Sequence, residues 1–274
     1  MAVPCSEGYN VPGANTDHSS SRISSTSSPL GRTTGPPLSR SLSLNDPGLR
    51  LLLLGPSGAG RSQLADTLLG CMEDRAPWSS SSGPLTESVQ RRALVNGREV
   101  RVVDTPDLLG KCGNGQKARE ALRSLQLSSP GPHVVLLVIR VPGAAGRVDQ
   151  DAALAVRVTL ALFGAGVAGH VFTVFTHADS LAPGQTLATL LGADAGGLRA
   201  ALSLCGLRAE LVDNSVHCPP EDRRRMCMRL LERLEEMRAL SGHFIHELQA
   251  REECMKEELL ADMSSELAGK LGSM

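Results

Sequence analysis

"LLLLGPSGAGRSQLADTLLG", Leu51 to Gly70, decides the fold. An aliphatic run of strand character feeds a glycine-rich turn, and helical sequence follows. The phosphate-binding loop reads G-x-x-x-x-G-K-[ST] in this context. Gly55, Gly60 and Ser62 fit it, and Arg61 stands in the lysine's place. Such a loop aims backbone N–H groups and the positive end of a helix at phosphate oxygens. Gly58 and Gly60 permit the tight path and close backbone approach. Ser62 is placed to hold Mg²⁺ beside the terminal phosphates. Taken alone, the stretch also reads as a glycine-rich turn before an ordinary helix.

Outward from the loop, short aliphatic runs alternate with helical stretches. Strands are expected at Leu51–Leu54, Val100–Val103, Val134–Ile139, Val171–Phe175 and Glu210–Val212, with a weaker one at Gln90–Val95. Helices are expected over Arg61–Leu69, Lys117–Leu125, Asp149–Phe163 and Thr186–Leu204. This alternation predicts an α/β domain, a mostly parallel sheet with helices on both faces. Ligands of such sheets sit at the carboxyl ends of the strands.

Three strand ends carry polar clusters. "VRVVDTPDLLG" ends a strand in Asp104, the position from which an aspartate holds Mg²⁺ in phosphate-loop enzymes. The GTPase form of this box is D-x-x-G, whose glycine N–H meets the γ-phosphate; Asp107 takes its place and adds negative charge there. "VFTVFTHADSL" ends in Thr176, His177 and Asp179, where GTPases carry N-K-x-D. A carboxylate at Asp179 would accept the paired donors of guanine, which adenine lacks; it also reads as a cap on a turn. "ELVDNSV" adds Asp213 and Asn214.

Composition narrows the function classes. A formal charge of −1 over 274 residues argues against a generic nucleic-acid binder. The seven cysteines form no C-x-x-C pair, so reduced cytosolic thiols are expected, with Cys71 and Cys205 as small core residues. No spanning segment appears, since the run Val134–Ile139 is far short of the ~20 residues a membrane helix needs. A cytoplasmic protein follows, and peripheral contact with organelle membranes is the form any membrane association would take. Residues 1–47, rich in Ser, Pro, Gly and Thr, read as a disordered tail. Residues 48–240 read as the globular domain. Its last helix carries Met226, Leu230, Leu234 and Met237 as an apolar stripe. Residues 241–274 read as an amphipathic helix beginning past Ser241-Gly242, able to act as a coiled-coil arm, a membrane-surface helix or a helix folded back on the domain.

Together these boxes resemble the AIG1 family, the GTPases of immunity-associated proteins (GIMAP), over about Leu49 to Met237. "GPSGAGRSQLADTLLG", "GREVRVVDTPDLLG", "SPGPHVVLLVIR" with Asp149-Gln150, "FTHADSL" and "VDN" each have a counterpart there. The family's base box is "FTRKEDL", so Thr176 fits the family and Asp179 is its matching acid. The resemblance implies a Ras-like phosphate-loop GTPase domain that binds GTP or GDP with Mg²⁺. It assigns Gly55, Ser57, Gly58, Ala59, Gly60, Arg61, Ser62 and Gln63 to the phosphates. It assigns Thr176, His177, Asp179 and Asn214 to guanine, and Ser62, Asp104 and Thr86 to the metal, with Ser88 competing for the place of Thr86. It further implies homo- or hetero-oligomers with other GIMAP-type G domains. The resemblance puts His133 of the "PGPH" box near the dimer interface; the residues alone read it as a satisfied polar side chain.

Arg61 keeps the lysine's charge in a bulkier, forked group. With Asp107 it alters the γ-phosphate side, so weakened binding and very slow or no intrinsic hydrolysis are expected. The alternative is a pseudo-GTPase scaffold that has lost nucleotide binding.

Overall fold

A computed structural model describes residues 48–70, 85–110, 113–141, 150–193, 197–215 and 217–272. The expected tail, Cys71 and Asp149 lie outside these residues. Six strands form one sheet, β1 (Leu49–Leu54), β2 (Val89–Val95), β3 (Arg98–Asp104), β4 (Val134–Arg140), β5 (Val171–Thr176) and β6 (Ala209–Leu211). Their order is β2-β3-β1-β4-β5-β6, parallel except for β2, which pairs antiparallel with β3. β1 and β5 are buried along their whole length, and β4 is buried except at Arg140. That burial on both faces is why they read as unbroken aliphatic runs. β2 is an edge strand with mostly exposed side chains, and its weaker pattern follows.

Two apolar layers cover the sheet. One joins α2 (Asn114–Leu127), α3 (Gln150–Phe163) and α5 (Gly197–Ser203) through Leu125, Val156 and Leu202. The other packs α1 (Arg61–Gly70) and α6 (Pro220–Ser241) through Leu64, Leu68, Leu230 and Leu234. The stripe expected on α6 is buried at Met226, Leu230, Leu234 and Met237. Full burial of each such side chain contributes about 1.5–3 kcal/mol before entropy is counted.

The expected helix over Thr186–Leu204 is instead two, α4 (Leu187–Ala193) and α5. Gly192 and Gly197, at the facing ends of the two helices, weaken a continuous helix, because glycine costs about 1 kcal/mol in a helix interior. α6 ends at Gly242, whose φ of 67° is a conformation glycine adopts freely. α7 (Glu247–Gly272) follows, with residues 253–271 exposed. Among the described residues no helix is long and apolar enough to cross a membrane.

Candidate nucleotide-binding site

The loop from Gly55 to Ser62 leaves β1 at the carboxyl edge of the sheet and enters α1. Two of its glycines are forced by close approach. A Cβ on Gly55 would lie 2.2 Å from the Val138 carbonyl oxygen of β4. One on Gly60, at φ 81°, would lie 2.8 Å from Asn214 Nδ2. Gly58, at φ 76°, faces open space. Ser57 and Gly58 are exposed, Ala59 is fully buried, and Gly60, Arg61, Ser62 and Gln63 are half-buried. Gln63 lies in the first turn of α1, where its carbonyl accepts from the Thr67 hydroxyl at 2.9 Å.

Asp104 closes β3 beside this loop and is 1% exposed. Burial pushes its carboxyl above the usual carboxylate range, and the neighbouring Ser62 hydroxyl, Arg91 and Arg61 pull it back. Its Oδ2 accepts from Arg91 Nη2 at 3.1 Å, and Arg91 Nη1 also donates to Asp66 Oδ1 at 2.5 Å. Asp104 Oδ1 has no hydrogen-bond partner among the described residues. A buried carboxylate oxygen of this kind suits a hydrated cation. Arg91 is a site residue the sequence did not reveal; its place on β2 next to Asp104 depends on strand pairing.

Asp107 does more than occupy the glycine's position. Its Oδ2 accepts the Ser57 N–H of the phosphate loop at 2.9 Å, and its Oδ1 accepts the N–H groups of Leu109 and Gly110 at 3.1 and 2.7 Å. Arg61 reaches the same segment, donating from Nη1 to the Pro106 carbonyl at 2.6 Å. Burial lowers the Arg61 pKa, and the carboxylates of Asp104 and Asp107 oppose that shift.

On the other flank Thr176 is fully buried and donates to the Ala59 carbonyl at 2.6 Å, tying the end of β5 to the loop. His177 sits in the left-handed region at φ 59° and turns the chain into a short 3-10 helix, Ala178–Ser180. Histidine is among the few residues besides glycine that are enriched in this conformation. Its ring lies 3.1 Å from Thr176 Oγ1 and packs beside Gly60. Burial lowers its pKa, Arg140 adds to this, and Asp179 and Asp213 oppose it. Asp179 is exposed in the 3-10 turn. Asn214, 2% exposed, donates to the Gly60 carbonyl at 3.4 Å, and its Oδ1 has no partner among the described residues. Thr176, His177 and Asn214 thus converge on Ala59 and Gly60, while Asp179 stands at the rim.

Thr86 is exposed. The pairing of Val89 with Asp104 brings the segment before β2 to the carboxyl end of β3, where a metal ligand from it would enter. Ser88 is committed elsewhere, giving both its N–H and its hydroxyl to buried Glu120 Oε2 at 2.8 and 3.0 Å.

His133 lies away from this edge, at the start of β4. It is 4% exposed, and its Nδ1 accepts the Arg50 N–H at 2.9 Å, which is the satisfied polar role. The "PGPH" box also docks the α6–α7 linker. Phe244 is 6% exposed, its N–H donates to the Pro132 carbonyl at 2.8 Å, and a Cβ on Gly131 would lie 1.9 Å from its carbonyl oxygen.

Known proteins are similar to this chain in sequence and in fold. Immune-associated nucleotide-binding proteins 12 and 13 of Arabidopsis thaliana are each 28% identical to the chain, over 224 and 219 residues. Those matches cover 78% and 77% of this chain but only 56% and 64% of the plant proteins. GTPase IMAP family member 8 of Rattus norvegicus is 33% identical over 136 residues, covering 48% of this chain and 19% of that protein. Toc33 from Arabidopsis thaliana, solved in complex with Mg²⁺ and GMPPNP, has the same fold. It aligns with a TM-score of 0.55 at 20% identity, covering 72% of this chain and 87% of that one. The sequence model of the AIG1 family matches residues 49–264, from the first residue of β1 into α7, and the chain belongs to the AIG1 family.

Proposed function

We propose that the chain binds a guanine nucleotide with Mg²⁺ at the Gly55–Ser62 loop and uses the bound state to control assembly with related G domains. The observation carrying this reading is a pair of buried oxygens, Asp104 Oδ1 and Asn214 Oδ1, on the two flanks of one loop and without partners among the described residues. Each such group costs about 1–3 kcal/mol when left unpaired, and a bound ligand is the natural means of meeting it. Ser62 and Asp104 would hold the metal, which when bound neutralises phosphate charge. The loop N–H groups would hold the phosphates. Asp179 would accept the guanine donors, with Thr176 and Asn214 fixing the floor beneath. Membership of the AIG1 family supports the same ligand class.

Intrinsic hydrolysis is proposed to be very slow or absent. Arg61 is committed to Pro106, and a carboxylate stands where phosphoryl transfer needs charge stabilisation. Calorimetry with GDP and Mg²⁺ tests the binding reading. Micromolar binding abolished by Asp179→Ala is expected; no heat at millimolar nucleotide would establish a pseudo-GTPase scaffold instead. A single-turnover assay faster than ordinary small GTPases would overturn the slow-hydrolysis part.

A further inference from the structure

We infer that Asp107 is a specificity determinant, its carboxylate occupying the terminal-phosphate position so that the pocket takes guanosine diphosphate in preference to the triphosphate. The inference rests on the nucleotide-binding reading above and concerns which nucleotide is held.

The loop has two distinguishable flanks. Thr176 and Asn214 contact Ala59 and Gly60, which fixes the base side. Asp107 contacts Ser57, and Arg61 contacts Pro106, which places the opposite side against the end of β3. A nucleotide laid from Asp179 along the loop runs its phosphate chain toward Ser57. There the Ser57 N–H already has an anion, Asp107 Oδ2, at 2.9 Å.

The carboxylate is built into place. Its second oxygen is held by the Leu109 and Gly110 N–H groups, and the backbone crowds it closely enough that a Cβ on Gly110 would lie 2.5 Å from Oδ2. The nearby Arg61 guanidinium supplies opposite charge. An anion, a backbone N–H and a cation in this relation match the surroundings a terminal phosphate would take, with the side chain in its stead. A diphosphate ends short of it. A triphosphate must displace the carboxylate or stand against its charge, with the loss of one charge-assisted hydrogen bond weakening binding by about ten- to a hundredfold.

The test uses the full chain, with fluorescent GDP and the fluorescent non-hydrolysable analogue GMPPNP titrated in Mg²⁺. The wild type should bind the diphosphate about ten- to a hundredfold tighter. Asp107→Gly should bring the two affinities within about threefold of each other, and Asp107→Asn, which keeps the shape and removes the charge, should move the ratio part of the way. Diphosphate binding by the Asn variant reports that the fold is intact. Equal affinities in the wild type, or a ratio unmoved by both substitutions, would overturn the inference while leaving nucleotide binding standing. Binding of neither nucleotide by any of the three proteins would overturn both.

Discussion

Replacing Arg61 by lysine should tighten nucleotide binding. The Arg61 guanidinium is committed to its own chain through the 2.6 Å bond from Nη1 to the Pro106 carbonyl. Hydrogen bonds involving a charged group contribute about 1.5–3 kcal/mol, and part of that must be surrendered when the guanidinium turns toward phosphate. Lysine carries the same charge as a compact ammonium with three donors and lacks the planar fork that grips Pro106. It would remain beside Asp104 and Asp107, so the local charge balance is kept. Arg61→Lys should therefore tighten GDP–Mg²⁺ binding by about tenfold, or ~1.4 kcal/mol. Calorimetry at one fixed ionic strength measures this, since phosphate contacts are screened by salt. A parallel urea titration should show a loss of no more than ~3 kcal/mol for the missing Pro106 contact. Unchanged or weaker GDP binding by a variant whose stability stays within that loss would refute the reasoning. It would mean that Arg61 serves the phosphate through its fork.

Two further perturbations test the frame around the site. Phe244→Ala should cost about 3–5 kcal/mol in urea unfolding, as for other buried aromatic truncations, because the ring is 6% exposed and packs in the core. A loss under about 1 kcal/mol would show that the linker is not docked at Pro132. His133 gives a pH dependence. Burial, with Arg50, His243 and His170 adding to it, lowers its pKa from 6.5 to about 3. The unfolded chain takes a proton that the native chain refuses, so its contribution is complete above about pH 6.5 and is lost as pH falls toward about 3. Between pH 7 and 5 the wild type should lose about 2 kcal/mol more than His133→Gln, at about 1.4 kcal/mol per unit below the unfolded pKa. Equal losses in urea melts would sink that assignment.

The strands were legible because burial on both faces selects aliphatic side chains, as in Leu51–Leu54 and Val134–Ile139. The loop was legible because Gly55 and Gly60 answer to local backbone geometry. What escaped depends on contacts between distant segments. Arg91 reaches Asp104 only through the antiparallel register of β2 on β3, which no local pattern specifies. The need for glycine at Gly131 becomes clear only once the Phe244 carbonyl is laid against it, 113 positions along the chain. Asp107 was legible as added charge on the γ-phosphate side. That its carboxylate is bonded to the loop it faces is a matter of geometry.

Arg61 and Asp107 are better understood as one arrangement than as two losses. Arginine for lysine conserves charge, and aspartate for glycine adds the opposite sign beside it. Half-buried charges persist when paired and hydrogen-bonded, and both side chains here are hydrogen-bonded across the loop. The cradle glycines do not by themselves argue for a ligand. The Val138 carbonyl and Asn214 would forbid a side chain at Gly55 and Gly60 even with nothing bound. The weight falls instead on Asp104 Oδ1 and Asn214 Oδ1, since the fold's own packing offers no partner for either among the described residues. A pocket reshaped only for structural ends would gain by replacing those polar groups with apolar ones of the same shape, a change that can be neutral or stabilising. Their presence at opposite flanks of a loop whose terminal end already holds a carboxylate is the pattern expected of a site fitted to a shorter anion.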